Sequence, residues 1–63
     1  MAKIIFSQDD EVIVFEGSED YVIGLGRAFS AYEEDLSEAD KVLYKNELLQ
    51  IPKAMSYSII IND

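Results

Sequence analysis

The spacing of apolar positions runs from strand-like to helical and back again along the chain. Lys3-Ile4-Ile5-Phe6-Ser7 and Glu11-Val12-Ile13-Val14-Phe15-Glu16 are dense in β-branched and aromatic residues, the composition of strands. Between them Gln8-Asp9-Asp10 supplies turn chemistry, because aspartate bonds its own backbone and tolerates turn geometry. The two segments predict a β-hairpin whose second strand ends at Gly17. From Tyr21 the period lengthens. At about 100° per residue Tyr21, Val22, Leu25, Ala28, Phe29, Tyr32 and Leu36 fall within an arc of roughly 120°, an amphipathic helix. Ser18 is its predicted N-cap, and Glu19 and Asp20 stand where a helix N-terminus favours negative charge. Gly24 and Gly26 lie off the stripe, and each costs ~1 kcal/mol against alanine in a helix. A rival reading makes Tyr21-Val22-Ile23 a short strand with Gly24-Leu25-Gly26 as a turn; the width and length of the stripe favour the helix.

Ser37-Glu38-Ala39-Asp40 predicts a second helix start, with serine as N-cap and an acid three residues on, and Pro52 stops it. Its apolar residues divide between two sides. Ala39, Val42, Leu43 and Leu49 share one; Tyr44, Leu48 and Ile51 share the other. One side is expected to meet the core and the other a second internal surface or a partner. The final segment, Met55-Ser56-Tyr57-Ser58-Ile59-Ile60-Ile61, alternates as a half-buried strand, with Met55, Tyr57, Ile59 and Ile61 directed one way.

The predicted order is β-β-α-α-β in a single small α+β domain over residues 1–63. Two antiparallel helices would return the chain so that the third strand pairs with the second. This gives an antiparallel sheet of order 1-2-3, with both helices on one face. The near-continuous Val12-Ile13-Val14-Phe15 run is taken to mark the central strand. The opposite face would carry Ile5, Ile60 and either Ile13/Phe15 or Val12/Val14, since a one-residue slip of the hairpin exchanges those pairs. Either way it is more apolar than a solvated face.

Composition narrows what such a fold can do. Thirteen acidic residues face five basic ones, giving a net charge of −8, and histidine, cysteine and tryptophan are absent. No disulfide or zinc-type site can form without cysteine and histidine. The apolar fraction of 49% is too high for a disordered acidic tail. A chain of 63 residues buries only about 60% of the surface its unfolded form exposes, so it relies on its apolar residues or on a partner. Ile4-Ile5-Phe6 is too short for the apolar region of a signal peptide, and no apolar run approaches the ~20 residues that span a bilayer. The expectation is a cytoplasmic protein. Its charge disfavours anionic membranes and nucleic acid and favours cationic partners.

Catalysis is not expected. Serine needs a neighbouring base, and the usual bases are missing, so the serines read as caps, turns and polar strand positions. Paired carboxylates need a walled cleft, which so small a domain rarely holds. Gly24-Leu25-Gly26 lacks the third glycine of a dinucleotide fingerprint. Asp9-Asp10-Glu11 and Glu33-Glu34-Asp35 lack calcium-loop spacing and read as solvated acidic turns. No cofactor or metal is called for. Tyr21, Tyr32 and Tyr57 read as core. Tyr44 shares a face with Leu48 and Ile51 near Asp40 and Glu47, and is a candidate contact residue.

The acids concentrate at the hairpin turn, the strand-to-helix junction and the connection between the helices. Their plain role is solubility; their sharper one is imitation of nucleic-acid charge. In size, charge and lack of catalytic residues the chain resembles small acidic proteins that bacteriophages and mobile elements encode against host machinery, anti-CRISPR and anti-restriction proteins among them. The resemblance rests on composition and element order, carries no motif and assigns no residue. It implies a non-catalytic DNA mimic or similar inhibitor occupying a basic surface of a nucleic-acid-binding protein. The candidate partner-binding residues are Asp9, Asp10, Glu33, Glu34, Asp35, Glu38, Tyr44 and Leu48. The alternatives are a structural or assembly protein acting as a homodimer or larger homo-oligomer, through the open sheet face or the Tyr44/Leu48/Ile51 patch, and an antitoxin-like module that neutralises a basic toxin.

Overall fold

The hairpin forms where the sequence places it. β1 (Ala2–Gln8) and β2 (Glu11–Gly17) pair antiparallel from Gln8↔Glu11 to Ala2↔Gly17 around the Asp9-Asp10 turn. Asp9 adopts a left-handed backbone, φ 52°, a conformation aspartate accepts more readily than β-branched residues. A computed structural model of the protein describes residues 1–31, 35–52 and 55–61. Helix α1 (Glu19–Ser30) begins at Ser18, whose side chain accepts the Tyr21 N–H at 3.1 Å. It ends at Ala31, short of the expected stripe; Tyr32 lies outside the described residues, and Leu36 packs half-buried against the core.

The predicted second helix is two. α2 (Glu38–Leu43) starts on Ser37, which accepts the Asp40 N–H at 3.1 Å, and α3 (Lys45–Gln50) ends two residues before Pro52. Tyr44 lies between them with φ −106° and ψ 11°, outside helical values. Backbone bonds end on it from both sides, Tyr44 N–H donating to the Asp40 carbonyl and the Tyr44 carbonyl accepting from Leu48 N–H, so Tyr44 closes α2 and opens α3. β3 (Ser56–Ile61) closes the sheet.

The sheet is a three-stranded antiparallel one within an α+β fold, but its order corrects the expectation. It is β2-β1-β3, with β1 central and β3 paired to it from Ser7↔Ser56 to Ala2↔Ile61. β3 therefore runs parallel to β2, and the helical connection crosses over β1 between the two edges. The apolar Val12–Phe15 run pointed to the wrong strand because apolarity on both sides of a strand is a matter of composition, and here Val12 and Val14 are exposed. Composition does not report whether a second strand occupies a free edge.

The register also settles the faces. Residues opposite one another share a face, so Ala2, Ile4, Phe6, Ile13, Phe15, Tyr57, Ile59 and Ile61 line one side. The other side carries Lys3, Ile5, Ser7, Val12, Val14, Glu16, Ser56, Ser58 and Ile60. α1 contacts all three strands. Its Val22, Leu25 and Ala28 are buried in one core with Ala2, Ile4 and Phe6, joined by Tyr44, Ile51 and Met55. Phe6 is the hub: its ring meets those of Phe15, Phe29 and Tyr57 at centroid distances of 6.1, 4.9 and 5.6 Å.

The two α1 glycines are spaces for tyrosines. A Cβ on Gly24 would overlap the Tyr44 hydroxyl, and one on Gly26 would come within 3.0 Å of the Tyr57 ring and 3.3 Å of Ile4 Cδ1. Their helix-propensity cost is thus set against close packing of α1 on α2–α3 and on the sheet.

Candidate functional site

Carboxylates occupy opposite ends of the sheet. Asp9, Asp10 and Glu11 are exposed at the hairpin turn, whereas Glu19 and Asp20 lie beyond Gly17, which pairs with Ala2 at the far end. α1 then carries the chain back: the Ser30 hydroxyl donates to the Tyr57 hydroxyl at 3.1 Å, and Tyr57 pairs with Phe6 near the hairpin. Asp35, Glu38 and Asp40 follow and are exposed, while Glu33 and Glu34 lie outside the described residues. Among the described residues one ion pair forms, Lys41 Nζ to Glu38 Oε1 at 3.5 Å. Lys3 is the register partner of Glu16 on the open face. Most of the acidic side chains described thus carry uncompensated charge at the surface.

Two of the proposed contact residues are placed inside. Tyr44 is 5% exposed and belongs to the core, and Leu48 is packed against that core. The helix side taken as a candidate interface is the inward one. The opposite side is outward: Val42, Leu43 and Leu49 are 76, 63 and 77% exposed. The 100° count separated the two sides correctly but could not orient them, because both carry large apolar residues. Gly24 held the missing signal, since a glycine within an apolar helix marks where a bulky neighbour approaches.

Tyr21 and Tyr44 form a further constellation that the sequence reading did not assemble. Their rings lie 6.1 Å apart, and the Tyr21 hydroxyl donates to Glu47 Oε2 at 2.8 Å. Burial, followed by that bond and the Glu47 charge, pushes the Tyr21 pKa up to about 12. Burial, followed by the charges of Asp40, Glu47 and Asp20, raises that of Tyr44. Carboxylates from all three helices thus surround one phenol pair, which stays protonated at neutral pH and serves as a packing and donor group. Among the described residues, no group of three or more acidic side chains is placed to hold a metal ion, and no helix is long and apolar enough to cross a membrane.

The open sheet face is the other exposed apolar region. Val12 and Val14 take the places the sequence left undecided, and they share this face with Ile5 and Ile60. No family model, curated protein or solved structure matches the chain.

Proposed function

We propose that this is a non-catalytic binding protein whose acidic surface occupies a basic groove of a nucleic-acid-handling protein and thereby inhibits it, as a phage-type anti-defence protein or DNA mimic would. The observation that carries the reading is exposed acidic charge in a chain of net charge −8: Asp9, Asp10, Glu11, Glu19, Asp20 and Asp35 are exposed, and among the described residues one salt bridge forms, Lys41 to Glu38. Exposed carboxylates at Asp9, Asp10 and Asp35, with Glu38 beside Lys41, present a field that attracts lysine- and arginine-lined surfaces and speeds encounter with them. They are sparser than the phosphates of duplex DNA, which carries one charge per ~1.7 Å of axis. Competition with DNA therefore depends on several carboxylates acting together.

The test is displacement of fluorescent duplex DNA from purified basic DNA-handling proteins, including restriction and CRISPR effectors, read by anisotropy. Release from at least one is expected, weakening steeply between about 50 and 200 mM salt. Combined reversal of Asp9, Asp10 and Asp35 to lysine should abolish it. Failure to release DNA from any of them, or release indifferent to salt and to the reversals, would overturn the reading.

A further inference from the structure

The two edges of the sheet are built differently. β2 carries Glu11 and Glu16 near its ends, and charge of that kind discourages another strand from adding to an edge. β3, Ser56-Tyr57-Ser58-Ile59-Ile60-Ile61, has no charge and no proline along its length. On the core-side face it is also the less covered edge, since Ile13 and Phe15 of β2 are half-buried there. Tyr57 and Ile61 on the core-side face are 37 and 43% exposed, and Ile60 on the open face is 42% exposed. As an edge strand, β3 directs the N–H and C=O of every second residue away from β1. Among the described residues no strand pairs with that side.

We propose that β3 is a dimerisation edge, and that its occupant is β3 of a second copy paired antiparallel about a two-fold axis normal to the sheet. The occupant follows from charge. A basic partner is drawn to the carboxylates, which stand at the ends of the sheet and on the helices, and β3 offers it none. Another copy brings a strand equally free of charge, with the same aromatic and β-branched pattern, and a two-fold contact requires only that one surface complement itself.

The pleat restricts the register, because opposite residues must share a face. Centring the axis on Ile59 meets this condition and joins the largest side chains. Ile59 faces Ile59 of the second copy, Tyr57 faces its Ile61, and Ser58 faces its Ile60. Aromatic and β-branched residues in direct opposition are a favourable cross-strand pairing. The product is a six-stranded sheet of order β2-β1-β3-β3-β1-β2. Both of its outer edges are then the glutamate-bearing β2, so growth ends at two copies. This proposal is independent of the inhibitor reading.

The experiment measures mass by sedimentation equilibrium at high micromolar concentration, with hydrogen exchange of the β3 amides. A species of twice 7.1 kDa is expected, with β3 protection that rises with protein concentration. Ser58→Glu places a charge at an already exposed position beside the axis. It should give a monomer with an unchanged circular dichroism spectrum. Val42→Glu, on the outward side of α2, should leave the dimer intact. A wild-type monomer, an open-ended oligomer, or a dimer that survives Ser58→Glu would overturn the proposal. A dimer dissolved by Val42→Glu would also do so, by moving the contact to the helices.

Discussion

Tyr21 shows how a residue of ordinary type becomes a stability determinant through its surroundings. Its hydroxyl is a donor to Glu47, and the bond exists only while the phenol keeps its proton. The pKa stands near 12, above the ordinary 10.0, so the folded state holds this proton more tightly than the unfolded chain. The contribution is complete below pH 10 and is lost as the pH climbs towards 12, because the unfolded state ionises first. Stability to urea should therefore decline through that window, and Tyr21→Phe should flatten part of the decline. An unchanged slope in the variant would mean that the bond does not couple to folding. Tyr44, raised in the same direction, adds to the decline that remains.

At the level of elements, Gly24 and Tyr44 form a lock between α1 and the α2–α3 junction. Alanine is ~1 kcal/mol better than glycine in a helix interior. Gly24→Ala should nevertheless destabilise the protein by about 1–3 kcal/mol, the usual cost of overpacking. Tyr44→Phe removes the atom nearest the new methyl, so the double variant should recover part of the loss in urea titrations. A single variant more stable than wild type would show that Tyr44 moves aside freely. Sequence pattern located most of these elements. The Ser18 and Ser37 caps, the hairpin turn and the alternation of the last strand are local signals, and local signals suffice for them. The break at Tyr44 was hidden because no glycine or proline between Ser37 and Ile51 marks it. Strand order was hidden too, since it depends on where the connection crosses the sheet. The acidic ends of the candidate site were legible as charge runs. The inward placement of Tyr44 and Leu48 was not, because it depends on which of two similar apolar sides α1 meets.

For the whole molecule, net charge sets a further expectation. Eight uncompensated negative charges repel one another in the compact state and separate on unfolding. Salt screens them over a Debye length of about 10 Å at 0.1 M. Moving from low-salt buffer to ~0.1 M sodium chloride should raise Tm, and a relief of 1 kcal/mol corresponds to roughly 4–8 °C in a domain of this size. A flat melting temperature would show that the carboxylates lie too far apart to oppose folding. The same screening acts with opposite sign on the two proposed contacts, weakening a complex with a cationic protein and strengthening a pair of like-charged copies.

The overall dimensions are 29 × 29 × 16 Å, those of a thin plate. On one sheet face Val12, Val14 and Ile60 are exposed, and at the hairpin tip Asp9 and Asp10 are exposed. The two regions share no residue, so Val14 can be changed without touching the carboxylates of the hairpin tip, and an effect of one kind of substitution can be separated from an effect of the other.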